Sequence, residues 1–111
     1  MKITKLFSAI LFALVLVSSA KAAEIPARTW AANCSSCHGT DGKGATTKGK
    51  QMGVRDFSTV VWQNGTTDAK IKIAIVNGMP GLTSGKMNGF QSRLKPEQID
   101  AQVKYVRTLA K

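Results

Sequence analysis

Cys34-Ser35-Ser36-Cys37-His38 holds both cysteines and the only histidine of this 111-residue chain. Two thiols three residues apart, followed at once by an imidazole, restrict sharply what can be built around them. The chemistry that uses this spacing is the attachment of a c-type haem. Each thiol adds to one vinyl group, so two thioethers form on the same edge of the porphyrin. The next residue then lies beneath the iron, where a histidine offers a ring nitrogen as proximal ligand.

Three plainer readings compete. A disulfide closing so small a loop constrains little of the unfolded chain. A thioredoxin-like redox pair belongs in a βαβ pattern, and no such pattern occurs here. A zinc site needs four ligands, or three in a catalytic centre, and nothing near the motif adds to two cysteines and one histidine.

Residues 1–22 read as a secretory leader. Lys2 and Lys5 form a charged start, Leu6 to Val17 an apolar run, and Ala20-Lys21-Ala22 a small-residue cleavage site. The run is shorter than the roughly 20 residues of a membrane span, so stable membrane insertion is not expected, although an uncleaved anchor is the alternative. Cleavage leaves residues 23–111 as one domain. So short a chain buries a thin core and needs a staple, and a covalent haem is such a staple. Trp30, Phe57, Trp62, Phe90 and Tyr105 are the aromatics available to surround it. Losing Lys2, Lys5 and Lys21 leaves 13 basic residues against 6 acidic ones, a net charge of +7. A basic balance favours acidic partners. Nucleic acid is not expected as a partner, because the lysines are scattered and the chain carries an export signal.

Glu24 to Ala27 is a lead-in, and Arg28 to Asn33 suits a turn or two of helix, with Trp30 four residues before Cys34 on the same face. Gly39 to Gly53 contains five glycines and reads as a loop around the porphyrin edge. Ser58 suits the N-cap of a short helix over Thr59 to Asn64. Within it, Trp62 either packs on that helix or offers its indole N–H to a haem propionate. Thr67 caps a clearer helix, Asp68 to Asn77, stopped by Gly78. Ile71, Ala74 and Ile75 form its inward stripe, widened by Ile73 and Val76. Met79 to Leu94 lacks periodicity. Pro96 opens the strongest helix, in which Ile99, Val103, Val106 and Ala110 recur, with Tyr105 and Leu109 beside them. Nothing reads as a strand, and the class is all-α.

An iron bound by one histidine has a second axial position. Methionine suits it in an electron-transfer haem, and Met52, Met79 and Met87 all lie in reach. Any of them is equally suited to filling core space.

The pattern resembles the class I cytochromes c of bacterial periplasms over nearly all of residues 27–110. The most specific parts are Cys34-Ser35-Ser36-Cys37-His38-Gly39 with Asp41-Gly42-Lys43-Gly44, and the run from Met87-Asn88-Gly89-Phe90 through Arg93-Leu94 to Glu97. The resemblance implies three to five helices wrapped around one covalent haem c, with Cys34 and Cys37 as thioethers and His38 and Met87 as axial ligands. Two departures stand out. Asn88 replaces the family's proline after the ligand, and Met79-Pro80 carries that pair eight residues earlier, so Met79 is the alternative ligand. No proline follows the haem motif before Pro80, which leaves the acceptor for the His38 Nδ1–H unassigned.

With both axial positions filled, the implied function is electron transfer by a periplasmic, monomeric carrier and not catalysis. Its partners would be an oxidase, reductase or dehydrogenase with an acidic docking surface. The alternatives are a dedicated cytochrome subunit of a larger oxidoreductase and, in a third class, a gas-binding haem protein.

Overall fold

The computed structural model describes residues 25–111; the leader over 1–22 lies outside the described residues. The described residues begin with α1 (25–33), which passes almost without a break into α2 (Ser35–His38). It continues through α3 (Thr47–Met52), α4 (Val60–Gly65) and α5 (Asp68–Asn77). A hairpin of β1 (Gly78–Pro80) and β2 (Lys86–Asn88) follows, and α6 (Pro96–Thr108) closes the chain.

The all-α reading holds, with six helical segments among the described residues and two corrections. The glycine-rich stretch after Cys34–His38, expected as a loop, contains α3. Thr46 caps it by accepting from the Gly49 amide at 2.9 Å, and Gly53 ends it in the left-handed region. The stretch after Gly78 contains a short antiparallel ladder pairing Gly78 with Asn88, Met79 with Met87 and Pro80 with Lys86. Three residues per strand are too few to show a period in sequence. Gly78 makes this reversal feasible, since it has φ +74° and a Cβ there would collide with the Met87 carbonyl.

Other boundaries shift slightly. Pro26 lies in the first described turn of α1, where its missing N–H costs nothing. Thr59, not Ser58, caps α4 by accepting from the Trp62 amide at 3.2 Å. Ser58 turns back instead to Asp56, and its hydroxyl and amide hold that carboxyl below the usual range. α5 keeps its expected bounds, capped by Thr67 and ended at Gly78.

One core joins Trp30, Ile71, Ile75, Phe90, Ile99, Val103, Val106 and Leu109. α5 supplies it through Ile71 and Ile75 alone, with Val76 half-buried beside them. Ile73 is 57% exposed and does not widen the stripe. At the end of α6 the final inward position belongs to Leu109, while Ala110 faces outward. Gln102 is almost wholly buried and ties α6 to the start of α1 through Nε2 donating to the Pro26 carbonyl at 2.9 Å.

Arg107, near the end of α6, fastens the α4–α5 corner. Its guanidinium donates to the Gln63 carbonyl at 2.8 Å, to Gln63 Oε1 at 3.0 Å, to the Thr66 carbonyl at 2.6 Å and to Asp68 at 2.8 Å. Gln63 in turn donates to the carbonyls of Phe57 and Val106. A planar fork of donors satisfies several acceptors at once, which an ammonium group does not. Arg107→Ala is therefore expected to destabilise the holoprotein by roughly 2–4 kcal/mol in guanidinium unfolding. Arg107→Lys should recover only part of that. Asp68→Asn should cost under about 1 kcal/mol, because that carboxylate is 70% exposed.

Candidate haem site

The motif forms a single helical turn. The His38 amide donates to the Cys34 carbonyl at 3.0 Å and the Cys37 amide to the same oxygen at 3.3 Å. Positions i, i+3 and i+4 of such a turn lie on one face, so Cys34, Cys37 and His38 are presented together. Trp30 stands one turn earlier on that face, 3% exposed, and its indole N–H donates to the Gly39 carbonyl at 2.9 Å. One side chain thus clamps the turn from before its first cysteine to after its histidine.

α3 holds the turn from the other side. Thr46 Oγ1, besides capping α3, donates to the Cys37 carbonyl at 2.9 Å. Gly49 is required by this approach, because a Cβ there would run into the Cys37 carbonyl and the Gly44 carbonyl. The thioether of Met52 then comes to 3.9 Å from Cys37 Sγ. Met52, one of three methionines in reach by sequence, is thus buried beside a cysteine.

The two cysteines are not bonded to each other, and both are half-buried. Burial first and the neighbouring Cys37 second push the Cys34 thiol up to about 11. A redox-active or metal-binding cysteine needs its thiolate and normally has a depressed pKa. Among the described residues no three His, Cys, Asp or Glu side chains converge as a ligand set.

His38 is neutral, with burial pushing its imidazole down to about 4. Iron ligation requires the neutral ring. Its Nδ1 is buried with no hydrogen-bond partner among the described residues. Phe57 stacks on the ring at 4.7 Å between centroids, and Trp30 lies tilted at 5.8 Å. Trp62 packs against Phe57 at 4.3 Å, as a half-buried aromatic on its short helix. Phe57 lies between elements and carries no periodic signal; its amide donates to the Gly42 carbonyl at 2.8 Å, which fixes its place.

The hairpin sorts the two remaining methionines. Met79 and Met87 face each other across the ladder. Met79 is 45% exposed, whereas Met87 is half-buried against the same core that Cys34 touches. Behind Met87, the Phe90 amide donates to the Ile75 carbonyl at 2.8 Å, and the Arg93 guanidinium lies 5.0 Å over the Phe90 ring. The hairpin tip sits on α3, with the Thr83 amide donating to the Met52 carbonyl and Ser84 Oγ to the Gln51 carbonyl. Two thiols on one turn, a neutral imidazole beside them and a half-buried thioether against the same core fit a c-type haem.

Comparison with known proteins agrees. A family model, Cytochrome c, matches residues 23–110. The chain is 36% identical over 88 residues to the Cbb3-type cytochrome c oxidase subunit FixP of Azorhizobium caulinodans, covering 79% of this chain. It is 34% identical to the CcoP subunit of the same oxidase type in Rhodobacter capsulatus, covering 72% of this chain. It spans 27% of the length of either relative. Among solved structures, the KustC0563 c-type cytochrome superposes with a TM-score of 0.68 at 34% identity, covering 77% of this chain and 96% of that one. The chain belongs to the cytochrome c family, as a class I, single-haem electron-transfer protein.

Proposed function

We propose that this cytochrome is an exported, periplasmic one-electron carrier in which Cys34 and Cys37 hold the haem covalently and His38 and Met87 are its axial ligands. The observation that carries this reading is the shared face of Cys34, Cys37 and His38 on one helical turn, with Met87 the more buried methionine of the hairpin. The leader over residues 1–22 supports export. Among the described residues no helix is long and apolar enough to cross a membrane.

When bound, haem supplies an iron that alternates between ferric and ferrous states. The protein's residues determine how that change is used. His38 and Met87 would be the residues that hold the iron, which would leave no position for a small substrate. Trp30, Phe57 and Phe90 surround the ligands with apolar rings and limit water. In this reading electrons pass outward near Cys37, half-buried beside α3. Lys48 and Lys50 on α3, Lys43 before it and Lys86 on β2 are all exposed, and the reading sets them around that edge. Leu82, 64% exposed at the hairpin tip, adds an apolar contact among these cations. Such a surface suits a redox partner with acidic residues around a small apolar centre.

A second reading follows from the relatives, which are subunits of an oxidase. In it the chain is the cytochrome component of an oxidase complex, where it would deliver electrons without diffusing. Size-exclusion chromatography of the native source separates the two readings, with elution as a free monomer expected for the carrier.

Replacing Met87 with alanine is expected to lower the reduction potential and abolish the sulfur-to-iron charge-transfer band, because methionine ligation raises the potential. The opened position should then bind carbon monoxide. Met79→Ala should leave the band in place. The opposite pattern would transfer the ligand role to Met79. The lysine surface is tested separately. Electron transfer to the partner should slow roughly tenfold between low and physiological ionic strength, and a rate indifferent to salt would remove the steering role.

A further inference from the structure

We infer that Met52 is the positioning residue of the hairpin that carries Met87, pinning the hairpin tip to the turn that presents Cys37 and so setting how readily Met87 leaves the iron. This rests on the ligation proposed above. Met52 is the most buried of the three methionines that follow the haem motif, yet it is not part of the core around Trp30. Its contacts lead in two other directions. On one side its thioether lies 3.9 Å from Cys37 Sγ. On the other, the residues joining β1 to β2 close over it. Gly85, at φ +65°, brings its backbone so near that a Cβ would stand 3.5 Å from Met52 Cγ and 3.6 Å from Cε. Gly81 faces the Met52 backbone, and a Cβ there would run into the Met52 carbonyl. That carbonyl accepts from the Thr83 amide at 3.0 Å, and the Gly81 amide shuts the loop by donating to the Gly85 carbonyl at 3.0 Å.

The hairpin is thus tied at both ends. At its base the Phe90 amide donates to the Ile75 carbonyl at 2.8 Å. At its tip it sits on Met52. Met87 lies between these ties, two residues after Gly85 and paired with Met79. Strands of three residues are too short to hold their own place, so the reach of Met87 depends on the ties. Met52 suits the tip because an unbranched thioether fills an irregular gap between two backbones. A hairpin freed there would pivot about its base and carry Met87 with it.

The test uses the ferric holoprotein and imidazole, which binds the iron only where Met87 has left. The apparent affinity of such a ligand scales with the fraction of protein in which the position is open. Met52→Ala should raise it roughly tenfold or more, while covalent haem and the sulfur-to-iron band persist without imidazole. Met52→Leu, which fills most of the same space, should return most of the way to wild type. Arg107→Ala, which loosens the α4–α5 corner instead, should lower stability and leave the imidazole affinity unchanged. A Met52→Ala affinity that moves no more than that of Arg107→Ala overturns the inference. Hydrogen exchange on the wild type tests it without a variant that must mature. The Thr83 amide should lose its protection when imidazole takes the position, and a Thr83 amide that stays protected also overturns the inference. A sulfur-to-iron band that is missing in the wild type, or that survives in Met87→Ala, would instead sink the Met87 ligation before imidazole is added.

Discussion

The indole of Trp30 connects most of what this small protein contains. It is buried, donates to the carbonyl that follows the haem motif, and touches the rings of His38, Phe57 and Tyr105. Through these contacts α1, the haem-binding turn, the segment before α4 and α6 meet at one residue. Removing so large a buried ring typically costs about 3–5 kcal/mol, a large fraction of the stability of a domain this size. The hydrogen bond to Gly39 also determines where the helical turn stops. The direction in which Cys34, Cys37 and His38 point therefore depends on Trp30 as well as on the turn itself.

The core around Trp30 is thin, and several large apolar side chains remain outside it. Val61 is 85% exposed, and Ile73 and Leu82 are also mostly in solvent. A domain of under 90 residues rarely gains enough from burial alone. In the cytochrome c family the covalent haem supplies the missing apolar mass and also cross-links the turn from which it hangs. This accounts for the division of labour in the sequence. The two longer helices α5 and α6 build the frame, while the glycines let neighbouring backbones approach closely, as Gly49 does to Cys37.

The haem-binding turn and the two long helices were legible in the sequence because their signals are local. Spacing is visible in Cys34 to His38, and caps with periodicity are visible from Thr67 to Gly78 and from Pro96 to Leu109. α3 was hidden because Gly49 argues against a helix on propensity, although it is needed for the close approach to Cys37. The methionine ladder was hidden because three-residue strands carry no period. Ile73 looked inward by composition and proved exposed, since the neighbours of α5 cover only the Ile71–Ile75 side. Phe57 was legible only as one of five aromatics available to surround a haem; its stacking on His38 depends on Gly42, Gln63 and Trp62, which converge only in three dimensions.

The central claim is that this turn carries a haem bound through both cysteines. Intact mass spectrometry of the protein exported by a host able to mature c-type cytochromes tests it most directly. The expected species is the chain beginning near residue 23 plus one haem, with the haem retained after acidified-acetone extraction. A haem-free mass, with Cys34 and Cys37 recovered as free thiols or as a disulfide, would contradict it.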